Sequence, residues 1–293
     1  LPRRPAVAPV SGAAARRLRP PLAALAFVLA AAGCGTPEPA AVAVPGRIVS
    51  LAPSVTETLF ALGVGERVVG VTRFCDVPAE ARSRRPVGGY LDPDYETIVA
   101  LEPDLVVLIE PQRDVERGLA TLRVDQGDVA AILGSFEQIA SRCGVAGRGR
   151  ALRAATSARL EALRPRSLAE PPRVLLAVER PVGSGRVTSV WAAAPGTFLD
   201  DLLRLAGGVN AVPGGPAAFP ELSREGLVAL DPDVILDLQP DLVERGLDPE
   251  VVRRDWRTLG ELSAVRGGRV HVLAGDYMVV PGPRLAQAAE AIH

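Results

Sequence analysis

Residues that could carry out covalent chemistry are scarce in this chain of 293 residues, which has two histidines and three cysteines. His271 and His293 lie far apart, and no cysteines have the Cys-x-x-Cys spacing typical of zinc sites. Ser54 and Ser223 have only His271 as a possible base, which argues against a Ser-His-Asp triad. Gly63-Val64-Gly65 begins like a dinucleotide-binding loop, but the glycines follow a predicted helix and position 68 is valine. We therefore predict a protein that is not an enzyme and has no metal or cofactor of its own.

The overall composition indicates a folded protein and argues against nucleic-acid binding. Hydrophobic residues make up 48% and charged residues 23% of the chain, close to the averages of globular proteins. The 33 basic and 34 acidic residues leave a net charge of −1, so the basic field that nucleic acids require is missing. The length predicts about two domains.

The first 46 residues are typical of an export signal followed by a tether. Arg16, Arg17 and Arg19 precede an apolar run, Leu22–Ala32, which is too short to span a membrane. Ala31-Ala32-Gly33-Cys34 then resembles a bacterial lipobox, in which Cys34 is lipidated; a plain signal peptide is the alternative. Residues 1–34 are thus predicted to be the signal peptide with lipobox and residues 35–46 a flexible tether. We expect an exported lipoprotein, periplasmic or at the cell surface, with a soluble body.

An internal repeat divides the rest of the chain into two similar halves. Residues 95–107 read YETIVALEPDLVV and residues 224–236 read REGLVALDPDVIL, at a constant offset that pairs Glu96 with Glu225 and Asp104 with Asp233. Each copy begins as an amphipathic helix and ends, after a Pro-Asp turn, in a continuous apolar run. Such a run suits a strand buried on both faces of a parallel sheet.

Alternating strands and helices in both halves predict two Rossmann-like α/β lobes with parallel sheets, joined by a single long backbone α-helix. Ser54 to Glu57 has the pattern of a capping box that opens a helix ending at Gly63. The Ala/Arg/Leu-rich stretch 147–168 predicts the connecting helix, which would permit little hinge motion. The predicted lobes are residues 47–143 and 171–293, with the connection at 144–170. The remaining predicted elements are strands at 47–51, 68–71, 173–178 and 269–273 and a helix at 196–205.

These halves resemble the class III, or helical-backbone, substrate-binding proteins of ABC importers. The resemblance rests on RIVSLAPSVTETLFALGVGERVVGVT, the two repeat copies, PGTFLDDLLRLAGGVN and VRGGRVHVL, and it runs from Arg47 to the C-terminus. The family serves vitamin B12 (cobalamin), ferric siderophores and haem, and its vitamin B12 receptors are the group this sequence is most similar to. The resemblance implies a monomer that captures a small metal chelate between two lobes and delivers it to a permease dimer.

The resemblance also assigns roles to individual residues. Glu96 and Glu225 match the glutamates with which each lobe docks onto arginine pockets of the two-fold symmetric permease. Phe74, Tyr90, Phe219, Tyr277 and Asp276 match residues of the ligand cleft. For the glutamates the alternative is a solvated place in a first helical turn; for the aromatic residues it is ordinary core packing.

Other residues are predicted from their setting. Arg180 and Trp191 flank the glycine-rich stretch 182–187 and could contact an anionic group and a ring of the ligand, respectively. Cys75 and Cys143 would be exported together and either form a disulfide or remain buried thiols.

Departures from the vitamin B12 receptors leave the ligand open. Ile109 stands where those receptors have a tryptophan, and Val280 where they have an arginine, with Arg284 further along. The disulfide of their second lobe has no counterpart here. A corrinoid is the expected ligand; the alternative is haem, with Tyr90 or Tyr277 on the iron, or a ferric siderophore. An enzyme that handles metal cofactors is a remote alternative, because Cys75 alone supplies too few ligands.

Overall fold

The computed structural model describes residues 43–164 and 170–293. The predicted signal peptide, Cys34 and most of the predicted tether lie outside the described residues. None of the helices within the described ranges is long and apolar enough to cross a membrane.

The first lobe is a parallel sheet with helices on both faces. The strand order is β3-β2-β1-β4-β5, and every neighbouring pair is parallel, as predicted. Its elements are β1 (Ile48–Ser50), α1 (Pro53–Ala61), β2 (Val68–Val71), β3 (Arg85–Pro86), α2 (Tyr95–Ala100), β4 (Leu105–Leu108), α3 (Arg113–Gly118), β5 (Thr121–Arg123), α4 (Val129–Arg142) and α5 (Ala146–Ala162). Short 3-10 turns lie at Gly65–Arg67 and Ala79–Ser83.

Alternate residues of the central strands explain why this sheet is buried on both sides. In β4, Leu105 and Val107 pack with α1 and α4, whereas Val106 and Leu108 pack with α2 and α3. All four side chains are at most 1% exposed. The strand has a continuous apolar run because helices cover both faces of the sheet, as the sequence predicted.

The second lobe has a mixed sheet, and the prediction of a parallel one is wrong for a single strand, β7. The order is β11-β10-β6-β7-β9, with β8 also on β6, and β7 is antiparallel to both β6 and β9. The chain from β6 to β7 contains no helix, so it cannot make the crossover that a parallel pair requires. The elements are β6 (Arg173–Glu179), β7 (Ser189–Ala192), α6 (Phe198–Leu205), β8 (Val209–Asn210), β9 (Glu221–Ser223), α7 (Arg224–Leu230), β10 (Val234–Gln239), α8 (Pro249–Trp256), α9 (Ser263–Arg266), β11 (Val270–Ala274) and α10 (Leu285–Ile292), with 3-10 turns at Arg257–Leu259 and Asp276–Met278.

The internal repeat is also a repeat of backbone geometry. Asp94 caps α2 and Ser223 caps α7, each accepting from the backbone N–H three residues later. Both helices are followed by a non-glycine residue in the left-handed region, Glu102 at φ 46° and Asp231 at φ 38°. The shared Pro-Asp turn therefore has the same unusual conformation in both lobes.

An Arg–Asp pair joins each copy of the repeat to the start of the first strand in its sheet. Asp104 accepts from the backbone N–H of Arg47 at 2.8 Å, and Asp233 accepts from that of Arg173 at 2.9 Å. The same arginines donate to the carbonyls at the ends of α2 and α7. These bonds explain why the aspartate recurs in both halves.

A second helix packs beside the connecting helix and also reaches the cores of both lobes. The predicted connecting helix is α5, which ends at Ala162; residues 165–169 lie outside the described ranges. Its neighbour α4, which the sequence placed within the first lobe, contributes Ile132 and Phe136 to the core of the second lobe and Ile139 to that of the first. Because α4 belongs to both cores, the connection is a packed helical hairpin.

The predicted capping box at the start of α1 is wrong. Ala52 is the N-cap residue and makes no side-chain cap, since Pro53 takes the first helical position, for which proline is well suited. Ser54 and Glu57 are thereby moved into the helix, where both are buried. The Ser54 side chain bonds to Gln126 on the same wall of the site described next, whereas Glu57 accepts from Arg284 of the other lobe.

Candidate functional site

A cleft of about 960 Å³ lies between the lobes, at the carboxyl ends of the parallel strands. Residues after β2, β4 and β5 line one wall, and residues at or after the ends of β6, β10 and β11 line the other. Such an edge is where α/β sheets bind ligands, because the strand ends leave a crevice that loops can fill. The volume is at the upper end of the range for small-molecule sites.

Three of the predicted aromatic residues expose their rings in this cleft. Phe74, Tyr90 and Phe219 all line it, with 48%, 38% and 40% of the residue exposed. The rings of Phe74 and Tyr90 meet edge to face, with centroids 6.1 Å apart. Large rings left this exposed are not core packing, so the first wall offers an apolar surface to a ligand.

Backbone contacts hold the loops that carry Tyr90 and Phe219. Tyr90 follows Gly88, whose φ of 86° allows the tight turn before it, and the Tyr90 carbonyl accepts from Gln112 at 3.0 Å. On the opposite wall, the backbone on either side of Phe219 is bonded to the chain at and after β7, through Ala192 and Ala194. The rings are therefore presented by ordered loops.

The polar part of the cleft was only partly anticipated from the sequence. Ser54 donates to Gln126 Oε1 at 2.6 Å, and Gln239 Nε2 donates to Asp237 Oδ1 at 2.6 Å; Ser54, Gln126 and Gln239 all line the cleft. No motif marks Gln126 or Gln239. Gln239 ends the strand that the apolar run of the second repeat copy predicted, which is the signal that could have found it, whereas Gln126 follows β5, a strand that the sequence analysis did not predict.

Arg180 does not present its charge to the cleft, which corrects the prediction that it pairs with an anionic ligand. Its guanidinium is fully buried and donates to Asp237 at 2.7 Å and to Asp255 at 3.0 Å. Asp255 also accepts from the backbone N–H groups of Gly183 and Gly185. Arg180 thus holds the glycine-rich loop and β10 together and has no exposed donor for a ligand.

Asp276 forms an ion pair with Arg284 and does not line the cleft. Arg284 donates to both oxygens of Asp276 and to both oxygens of Glu57 on α1, so it joins the two lobes. The arginine holds the pKa of Asp276 below its usual range, whereas burial raises the pKa of Glu57 and the ion pair offsets only part of that. The sequence pointed to Arg284 but not to Glu57.

Tyr277 and Trp191 are also not among the residues that line the cleft. Tyr277 packs against the core of the second lobe. Trp191 lies on β7 with 44% of the residue exposed. Ile109 and Val280, by contrast, do line it.

The comparisons with known proteins agree with this architecture. A family model for periplasmic binding proteins matches residues 48–277. The chain belongs to the periplasmic binding protein family. It is a substrate-binding protein of an ABC transporter, a non-enzymatic component, as the sequence predicted.

Two relatives illustrate the similarity in sequence. The chain is 26% identical over 251 residues to the vitamin B12-binding protein of Vibrio parahaemolyticus, covering 83% of this chain and 86% of that protein. It is 26% identical over 264 residues to YvrC of Bacillus subtilis, an uncharacterized ABC transporter substrate-binding lipoprotein, covering 85% of this chain and 79% of that protein.

Two solved structures illustrate the similarity in fold. The vitamin B12 binding protein BtuF of Vibrio cholerae superposes with a TM-score of 0.71 at 25% identity, covering 85% of this chain and 95% of that one. The periplasmic haem-binding protein BhuT, in complex with two haems, gives 0.70 at 26% identity, covering 84% and 99%. The two structures are about equally similar to this chain, so the comparison does not distinguish vitamin B12 from haem as the ligand.

The two predicted docking glutamates of this periplasmic binding protein are both exposed. Glu96 lies in the first turn of α2 and Glu225 in the first turn of α7. Both helices begin at the carboxyl edge of their sheet, because each precedes a strand parallel to the first strand of its lobe. A hydrogen bond from its own backbone N–H and one from Ser223 lower the pKa of Glu225.

Of the two alternatives for Cys75 and Cys143, a disulfide or buried thiols, the structure has the second, since both cysteines are free and buried. The Cys75 thiol lies against the hydroxyls of Thr56 and Thr72, at 3.1 and 3.0 Å. Cys143 instead ends α4. Burial raises the pKa of both thiols, which keeps them protonated and unreactive. Within the described residues no group of three or more His, Cys, Asp or Glu side chains could hold a metal ion.

Proposed function

We propose that this protein captures a flat metal chelate, best a corrinoid of the cobalamin type, in the interlobe cleft and delivers it to an ABC permease. The observation that carries the proposal is the set of three exposed rings, Phe74, Tyr90 and Phe219, on opposite walls of a cleft of about 960 Å³. A macrocycle has two apolar faces that such rings can cover, while its rim needs polar partners. The vitamin B12-binding relatives support the choice of ligand.

Delivery is proposed to use Glu96 and Glu225. A two-lobed protein with a repeated element can meet a two-fold symmetric permease through equivalent groups on both lobes. The equal placement of the two glutamates, each in a first helical turn after an equivalent cap, supports this role. We further propose export and a lipid anchor at Cys34; the lipoprotein among the relatives supports this.

Haem is the second candidate, and Tyr90 is the observation that favours it. Its hydroxyl has no hydrogen-bond partner among the described residues, and a phenolate is a known type of haem-iron ligand. No histidine or cysteine is among the described residues that line the cleft.

The test is isothermal titration calorimetry of the protein with cyanocobalamin, haem and a ferric siderophore. We expect cyanocobalamin to bind, and Tyr90→Ala or Phe219→Ala to weaken binding at least tenfold, or about 1.4 kcal/mol. Tyr95→Ala is the matched control, because Tyr95 is 39% exposed but does not line the cleft.

Two results would speak against a corrinoid. Absence of cyanocobalamin binding contradicts the proposal directly. Binding of haem instead, with an absorbance band of tyrosinate-bound iron that Tyr90→Phe abolishes, selects the second candidate.

A further inference from the structure

Apart from its aromatic rings, the cleft presents mainly hydrogen-bond acceptors. Its charged lining residues are Glu110, Asp125, Glu179 and Asp241 together with Arg180 and Arg245. Because the Arg180 guanidinium is buried between two aspartates, Arg245 is the one exposed cation among the described lining residues. That guanidinium lies 3.7 Å from Asp241, so Glu110, Asp125 and Glu179 are left without a cationic partner among the described residues.

Gln239 adds a neutral acceptor whose orientation follows from chemistry. A carboxylate can only accept, so the amide nitrogen of Gln239 must face Asp237, to which it donates at 2.6 Å. Oε1 is then the atom left for the cleft, and it has no partner among the described residues. With Gln239 only 4% exposed, this oxygen is an unpaired acceptor in a nearly buried wall.

The helix ends at the cleft do not reverse this polarity. The first turn of α6 could attract anions, but it carries Asp200 and Asp201, which offset the positive end of the helix. In α1, Pro53 takes the first helical position and so removes one N–H group from the first turn.

We propose that the cleft selects chelates whose rim carries amide or amine donors and no negative charge, and that it rejects the same ring when its rim bears carboxylates. This inference rests on the proposed function, since it takes a flat chelate as the ligand. N–H donors on the rim would be satisfied by the carboxylates and by Gln239 Oε1. A carboxylate rim would lose hydration and face like charges.

The substrate class that follows is the fully amidated corrinoid. Haem, with two propionates, and corrin acids whose side chains are not amidated would be excluded by charge, although haem is a macrocycle of similar size and the corrin acids share the corrin ring itself. Glu110, Asp125, Glu179, Asp241 and Gln239 are then the residues that determine specificity.

The experiment compares two corrinoids that share the same ring and differ in the charge of their peripheral groups. Dicyanocobinamide, which carries amides, and dicyanocobyrinic acid, which carries carboxylates, are titrated into the protein by calorimetry at low and at physiological salt. We expect the amidated ring to bind at least tenfold more tightly, with a smaller difference at the higher salt because screening weakens repulsion.

A charge variant and a matched control locate the effect. The double variant Glu110→Gln/Asp125→Asn is expected to bind dicyanocobyrinic acid more tightly. The difference in affinity between the two corrinoids should therefore shrink severalfold. Glu80→Gln, an exposed glutamate that does not line the cleft, is expected to leave the difference unchanged. Equal or tighter binding of the carboxylate form by the unmodified protein overturns the inference.

Failure of the proposed function can be distinguished from failure of the charge inference. If neither corrinoid binds but haem does, the corrinoid proposal fails while the charge inference is still tested. Haem affinity should then rise with salt and in the Glu110→Gln/Asp125→Asn variant, and a fall in both overturns the inference. Binding of none of these compounds overturns both proposals.

Discussion

At the scale of single residues, Arg284 is the clearest link between the lobes. It contacts Glu57 at 2.6 Å and Asp276 at 2.6 Å, and the two carboxylates respond in opposite ways. Glu57 is 5% exposed, so burial dominates and its pKa is raised, whereas the pKa of the more exposed Asp276 is lowered by the arginine. The two groups therefore titrate in separate ranges of pH.

Glu57→Gln is predicted to change how stability depends on pH. Since the folded-state pKa of Glu57 lies above 4.5, folded protein binds this proton more readily than unfolded protein does. As pH falls through the raised pKa toward 4.5, the unmodified protein should gain stability relative to Glu57→Gln, and it should lose that advantage as pH rises. Thermal unfolding from pH 4 to 8 measures the difference.

Asp276→Asn is the matched control for this measurement. The pKa of Asp276 is lowered, so its contribution is present above 3.8 and is lost as pH falls through the lower value. Its effect on the pH profile should therefore lie below pH 4. A Glu57→Gln profile parallel to that of the unmodified protein between pH 4 and 8 would falsify the assignment.

At the scale of elements, the hairpin of α4 and α5 decides how the lobes are joined. Gly149 on α5 lies so close to α4 that an added Cβ would sit 3.0 Å from the Phe136 carbonyl oxygen and 3.2 Å from the Glu137 Cα. The ion pair of Arg153 with Glu137, at 2.8 Å, lies one turn further along. Backbone contact at this crossing fixes the register of the two helices, and through α4 it fixes both cores.

Gly149→Ala is predicted to destabilise the protein by about 1–3 kcal/mol, although alanine favours helix, because the methyl group overpacks a backbone contact. Gly147→Ala in the same helix is the control, since the nearest atom to its Cβ would be 4.0 Å away. The control should be neutral or gain up to about 1 kcal/mol. Chemical denaturation measures both, and equal effects would contradict the close crossing.

At the scale of the whole molecule, the structure is a duplicated unit with equivalent acidic positions. The caps Asp94 and Ser223 and the left-handed residues Glu102 and Asp231 show that the duplication extends to backbone detail. Because Glu96 and Glu225 share this setting, docking to a symmetric permease predicts that they contribute about equally. Exposed charge pairs act mainly on orientation and on the rate of association.

Charge reversal tests this symmetry. Glu96→Arg and Glu225→Arg should each weaken binding to a reconstituted ABC permease of the iron and cobalamin type, and the double variant should weaken it at least tenfold, or about 1.4 kcal/mol. Ligand affinity should not change, because neither residue lines the cleft. Glu80→Arg serves as the charge control, and an effect of one glutamate without the other would contradict equivalent docking.

The sequence by itself determined the features that depend on local pattern. The continuous apolar runs located the buried strands, Val68–Val71 among them, and the repeat predicted the equivalence of α2 with α7 and of β4 with β10. Each of these follows from side-chain periodicity and turn chemistry within about a dozen residues. The family resemblance likewise pointed to the cleft through Tyr90 and Phe219, each of which precedes the repeated glutamate of its half by six residues.

Only the tertiary structure decided what depends on distant partners. Arg180 lies in a loop next to a glycine-rich stretch, which suggested exposure, yet Asp237 and Asp255 enclose it from 57 and 75 residues away. Glu57 had the pattern of a cap, but its partner is Arg284, 227 residues further along the chain. Distant contacts also place α4 in two cores and make β7 antiparallel. The energies of burial and strand pairing arise between segments that are far apart in the chain, and no local sequence pattern encodes which segments meet.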